Sequence, residues 1–168
     1  MDKLAIFIAT GFGSGKSKKA PGTMGSLVAI FIAYIIIADW GIAGLNALFL
    51  FSITIGSWAA HRYQAVTGTH DAPEVVIDEF AGQFIAIYPS VYFLGAANVH
   101  IGYYIAAFAF FRLFDIWKPW PIRRLERLPG ALGVMADDIL AGIMAGIVTG
   151  YVAQYYGSMT CMNLATGC

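Results

Sequence analysis

The chain has 168 residues, of which 59% are hydrophobic and 12% charged, and its formal net charge is zero. A soluble domain averages about 25% charged residues, so this composition points to a membrane protein of one domain. The neutral balance excludes the basic footprint of a nucleic-acid binder. Cys161 and Cys168 lie in the tail, and no Cys/His spacing suggests zinc.

The N-terminal stretch lacks the length and cleavage site expected of a secretory signal. Gly11-Phe-Gly-Ser-Gly-Lys-Ser17 is glycine-rich but not a P-loop, which needs glycine where Thr10 stands. It leads into Ala20-Pro-Gly-Thr-Met-Gly-Ser26, just before an apolar run. Backbone N–H groups and the hydroxyls of Thr23 and Ser26 at a helix start can hold an anion or simply cap the helix.

Apolar runs follow at 26–40, 42–60, 80–95, 99–114 and 139–156, the third interrupted by Pro89. A membrane span needs about 20 residues. The second and fifth qualify readily, and the shorter ones can cross if packed together. The expectation is an all-α, membrane-embedded bundle of about five short spans, N-terminus inside and C-terminus outside. The inner segments are then 1–25, 61–79 and 115–138. They hold Lys3, Lys16, Lys18, Lys19, Arg62, Lys118, Arg123, Arg124 and Arg127, with Arg112 at the inner end of the fourth run. The outer turns hold no Lys or Arg, as the positive-inside rule demands. A tail on the outside could close a small loop through Cys161 and Cys168.

Half of the acidic residues flank these runs. Asp78-Glu79 opens the third, Asp115 closes the fourth and Asp137-Asp138 opens the fifth. Carboxylates at that depth are costly and need a partner or a task. All three groups fall on the inner face, where a shared cluster must protonate or bind a cation. The fifth run carries small residues at Ala141-Gly142, Ala145-Gly146 and Gly150, which makes it a candidate for the centre of the bundle and points Asp138 inward.

Arg112, Asp115 and Lys118 share one helical face if the helix continues to Trp117. Trp117 and Trp120 suit headgroup depth, while Pro119 and Pro121 stop the helix. Arg123, Arg124 and Arg127 suit lipid phosphates. His61 and His100 stand apart. His70-Asp71 lies near Asp78, as a loop histidine or a proton shuttle.

Gly13-Ser-Gly15, the segment from Ala20 to Ser26, Ile77-Asp-Glu-Phe-Ala-Gly82, the segment from Phe111 to Ile122 and Asp137-Asp-Ile-Leu-Ala-Gly142 together resemble the phosphatidylglycerophosphatase A family. The order and spacing cover roughly residues 11–146. The resemblance implies a magnesium-dependent phosphatase of the bacterial inner membrane, acting on its cytoplasmic face. It implies phosphatidylglycerol phosphate as substrate, phosphatidylglycerol as product, and a central helix wrapped by others. Mg²⁺ takes carboxylate oxygens and waters. The expected ligands are Asp78, Glu79 and Asp138, with Asp115 and Asp137 beside them. Asp78, Glu79, Asp138 and His70 are the expected catalytic residues. Gly13, Ser14, Gly15, Thr23, Ser26, Arg112, Lys118 and Arg123 are the expected substrate contacts. The rival readings are an ion-coupled transporter and a non-catalytic lipid-binding protein.

Overall fold

The computed structural model describes residues 2–69, 72–125 and 131–163, with side chains over 135–156 in the last stretch. Every regular element among them is helical: α1 Asp2–Ala9, α2 Pro21–Phe51, α3 Ser57–Thr67, α4 Ile77–Leu94, α5 Ile101–Trp117, α6 Ile122–Leu125 and α7 Ala131–Asn163. A π-helical turn, Ser52–Gly56, joins α2 to α3, and short 3-10 turns lie at Ser14–Lys16 and Ala96–Asn98. Two helical stretches, Pro21–Thr67 and Met135–Tyr156, are long and apolar enough to cross a membrane.

The first stretch is not straight. Gly41 takes φ 57° and ψ −144°, outside the helical region. Beyond it Gly44 returns to Ile36, and a Cβ on Gly44 would lie 3.2 Å from the Ile36 carbonyl oxygen. In an unbroken helix eight residues span about 12 Å. The first two apolar runs therefore form an antiparallel hairpin whose turn is Gly41. Ala96, in the turn between α4 and α5, approaches Gly41, so both turns share one end of the bundle. The start of α2, the start of α4, the end of α5 and the first acidic residues of α7 meet at the other end.

The central helix is α4, which corrects the expectation drawn from the small-residue stripe of the fifth run. α4 is buried on nearly every side, including Phe80, Phe84, Ile87 and Gln83. α7 leaves Ile147 and Tyr151 exposed. The stripe instead lets α4 come close. Gly142 lies against the backbone of Gly82, and Gly146 and Gly150 lie against Pro89. Pro89 does not end α4. It frees the Ile85 carbonyl, which faces Gly146, and the Thr149 hydroxyl donates to the neighbouring Ala86 carbonyl at 2.6 Å.

Helix boundaries differ from the apolar runs because polar residues also take helical geometry. α2 begins at Pro21, α4 includes Asp78 and Glu79, and α7 continues to Asn163. Cys168 lies outside the described residues, so the tail disulfide does too. The glycine-rich segment packs as a clamp. The Val76 N–H donates to the Ala9 carbonyl at 3.0 Å, Gly11 faces Phe80, and Gly15 faces the Glu74 carbonyl. It thereby holds the chain that enters α4.

Candidate active site

Two acidic pairs are brought together by helix packing. α4 and α7 run parallel, and a Cβ on Gly82 would lie 2.6 Å from the Asp138 carbonyl oxygen. Asp78 is four residues before Gly82 and Asp138 four before Gly142, so both carboxylates sit one turn below the close contact. Asp78 Oδ1 accepts the Glu79 N–H at 3.0 Å, and Asp137 Oδ1 accepts the Asp138 N–H at 3.1 Å. Asp78, Asp137 and Asp138 are all buried.

α5 supplies the cations. It does continue to Trp117, which brings Arg112 and Asp115 to one face. Arg112 Nη1 lies 2.6 Å from Asp115 Oδ2 and 3.5 Å from Glu79 Oε1. Lys118 Nζ lies 2.9 Å from Asp137 Oδ2. Lys118 ends α5 in a left-handed conformation, φ 45°, and Ala20 precedes α2 in another, φ 48°. Non-glycine residues pay for that geometry, and such strain gathers at functional sites. Both residues border a cavity of about 330 Å³, together with all five carboxylates, Arg112, Pro21, Gly22, Ala72 and Pro73.

Five carboxylates face two cations there, a surplus of negative charge. Asp78 and Glu79 stand just before the third apolar run. Burial pushes the Asp78 carboxyl up to about 7, reinforced by Asp137 and Asp115. Burial and the neighbouring Asp78 push Glu79 up to about 9, against the pull of Arg112. Glu79 lies in a cradle made by Gly22 and Gly25, where any Cβ would strike its carboxylate. Its Oε2 is buried without a hydrogen-bond partner, as are both amide atoms of Gln83 one turn along α4.

The donor set fits a hard divalent cation: every candidate ligand is a carboxylate oxygen, charge is in surplus, and a buried oxygen lacks a partner. Glu79 and Asp115 face Arg112, Asp137 faces Lys118, and Asp78 and Asp137 each accept a backbone N–H. Among the described residues no three acidic, His or Cys side chains converge at metal-ligand spacing.

Of the expected site residues, Asp78, Glu79, Asp115, Asp137, Asp138, Arg112 and Lys118 border the cavity. Gly13, Ser14, Gly15, Thr23, Ser26 and Arg123 are not among its described lining residues. The Ser14 hydroxyl donates to the Gly11 carbonyl at 2.8 Å. Ser26 is fully buried and donates to the Gly22 carbonyl at 3.0 Å, with Arg112 Nη1 3.5 Å from its oxygen. Arg123 sits on the short α6. His70 lies outside the described residues. Within the segment from Ala20 to Ser26 the cavity is bordered by Ala20, Pro21 and Gly22, and sequence reasoning missed Ala72, Pro73 and Val75. The signal for Gly22 was present in its spacing of three from Gly25 on one helical face, which marks a close approach rather than an anion loop.

The sequence model of the phosphatidylglycerophosphatase A family matches residues 7–153. The chain belongs to the phosphatidylglycerophosphatase A family. An Escherichia coli phosphatidylglycerophosphatase A is 40% identical over 140 residues, covering 82% of this chain and 76% of its own. A Haemophilus influenzae phosphatidylglycerophosphatase A is 38% identical over 137 residues, covering 81% and 80%. A Bacteroides thetaiotaomicron protein provisionally named a phosphatidylinositol-3-phosphatase is 42% identical over 147 residues, covering 83% and 87%. No solved structure matches. Membership of the phosphatidylglycerophosphatase A family makes the chain an enzyme, a phosphoric monoester hydrolase, and sets aside the transporter and scaffold readings. The cavity gathers two cationic side chains and five carboxylates at one place.

Proposed function

We propose that this enzyme removes the terminal phosphate of phosphatidylglycerol phosphate with the help of Mg²⁺, at the cytoplasmic face of a bacterial inner membrane. The observation that carries the reading is the meeting of Asp78-Glu79, Asp137-Asp138, Arg112 and Lys118 in one cavity at the end of an apolar bundle. Asp78, Glu79 and Asp138 would hold the cation, with Asp115 and Asp137 alongside. When bound, Mg²⁺ supplies neutralisation of phosphoryl charge and a lowered pKa for water.

The chain's own residues do the rest. Arg112 and Lys118 bind the phosphoryl oxygens and strengthen that contact as charge develops on them. Asp115 and Asp137 orient those two cations through their short ion pairs. Glu79, cradled by Gly22 and Gly25 with Arg112 Nη1 3.5 Å from its Oε1, helps to aim that guanidinium into the cavity. His70 is assigned to proton exchange with solvent. The headgroup enters from the inner leaflet, because the cavity lies where the basic residues gather and the Gly41 and Ala96 turns lie at the far end.

Phosphate release from purified enzyme tests this, with phosphatidylglycerol phosphate, phosphatidylinositol 3-phosphate and glycerol phosphate as substrates, each with and without EDTA. The expected result is EDTA-sensitive release, fastest from phosphatidylglycerol phosphate. Equal turnover of glycerol phosphate would remove the lipid from the recognition, and preference for the inositol lipid would reassign the headgroup. Reporter fusions after Phe51, Gly95 and Tyr156 test the five crossings, and a cytoplasmic signal at Tyr156 would refute them.

A further inference from the structure

α5 carries a single stripe that changes character along its length. Ile101, Ile105, Phe108, Arg112 and Asp115 recur at spacings of four and three, so they share one face. Arg112 and Asp115 border the polar cavity. Ile101, Ile105 and Phe108 line a separate apolar groove of about 520 Å³, whose opposite wall on α2 includes Leu27, Phe31 and Tyr34. The groove therefore lies between the same two helices as part of the polar cavity and begins one turn beyond Arg112. Its walls are open: Phe31 is 63% and Ile105 61% exposed. The rings of Tyr34 and Tyr104 meet edge to face at 5.2 Å near its far end.

We propose that this α2–α5 groove is the subsite for one acyl chain of the lipid whose phosphate occupies the polar cavity, an inference that rests on the lipid-phosphatase reading above. Two observations commit it to that occupant. Charge changes along one helix face in the order a phospholipid requires, cation and carboxylate first and hydrocarbon after. The distance also fits, since Arg112 to Ile101 spans about 16 Å of helix, close to half of a hydrocarbon core of about 30 Å. One leaflet's acyl chain has that reach. A larger apolar cavity of about 850 Å³ touches α2, α4 and α7 but not α5, so it is not continuous with the Arg112 face. It provides the control surface.

The test uses the full chain in vesicles with a phosphonate analogue of phosphatidylglycerol phosphate carrying a diazirine in mid-chain. The comparison probe is phosphatidylcholine with the same chain. After illumination, mass spectrometry should place crosslinks from the phosphonate lipid on residues 27–34 and 101–108, and the phosphatidylcholine probe should spread around the bundle. Ile105→Trp, which fills the groove, should abolish that preference. It should also raise KM for a long-chain substrate about tenfold, what displacing two methylenes is worth, and leave a dihexanoyl substrate unaffected. Ile147→Trp, on the control surface, should change neither. Crosslinks that ignore the headgroup, or an Ile105→Trp effect equal for both chain lengths, would overturn the groove. Lipid hydrolysis with diffuse crosslinks refutes the groove alone. Localised crosslinks without lipid hydrolysis refute the phosphatase reading and leave the groove standing.

Discussion

Gly22→Ala separates the role of Glu79 from the stability of the fold. Gly22 lies in the first turn of α2, and its backbone needs no left-handed conformation. Alanine there is favourable for the helix by up to about 1 kcal/mol. The new Cβ would overlap Glu79 Oε1, and would lie 3.0 Å from Glu79 Cδ and 3.3 Å from Arg112 Nη1. Ordinary carbon contacts are about 3.5–4.0 Å, so the carboxylate must retreat by up to about an ångström. A misplacement of about 1 Å costs on the order of 10²-fold in rate, or about 2.7 kcal/mol of barrier. The expected outcome is an unfolding midpoint at or above that of the parent and turnover reduced by about 10²-fold. Gly102→Ala is the control, because nothing lies within 4 Å of a Cβ there. It should gain the same helix preference and keep full activity. Phosphate release per folded molecule, measured beside thermal unfolding, reads both effects. A folded Gly22→Ala enzyme with parental turnover would show that the position of Glu79 against α2 does not matter to the reaction.

The other predictions concern charge and burial. Asp78→Asn and Asp138→Asn should each lose on the order of 10²-fold or more in Mg²⁺-dependent turnover while still unfolding cooperatively, and Asp39→Asn, exposed at the far end, should match the parent. Full activity in either folded site variant would end the metal-site assignment. Asp78 and Glu79 are raised from ordinary values of 3.8 and 4.5 to about 7 and about 9. The folded state therefore holds protons that the unfolded state releases, and their contribution is complete below about pH 4 and lost as pH rises through 7 and then 9. Thermal unfolding in EDTA should show the midpoint falling over that range, and Mg²⁺ should flatten the fall because it binds the ionised forms. A midpoint in EDTA that rises between pH 5 and 9 would contradict the assignment. Gln83→Met removes two buried amide atoms that lack partners and keeps the volume, so it should raise stability by about 1–2 kcal/mol in denaturant unfolding. Loss of stability would show that Gln83 is hydrogen-bonded in solution.

Much of this molecule is legible along the chain because the properties concerned are local. The apolar runs, the basic residues confined to alternate loops, the reversal at Gly41 and the position of each acidic pair depend on neighbours within a few residues. So does the extension of α5 through Arg112 and Asp115. The family pattern spans most of the chain for the same reason, as short motifs in a set order. Which helix is central was not legible. A small-residue stripe permits close approach but does not say whether its owner is enclosed or merely adjacent, and here α4 is enclosed while α7 keeps an exposed face. The meaning of the glycines was equally hidden. Nothing along the chain shows that Gly15 faces the Glu74 carbonyl ahead of α4, or that Gly22 and Gly25 cradle a carboxylate arriving from another helix. Nor does the chain alone show that the Ser14 and Ser26 hydroxyls donate to the Gly11 and Gly22 carbonyls. Periodicity records which face of a helix is apolar. Only three-dimensional packing decides what meets that face, because the residues that close the cavity come from α2, α4, α5, α7 and the segment before α4, whose separation along the chain carries no information about their distance in space.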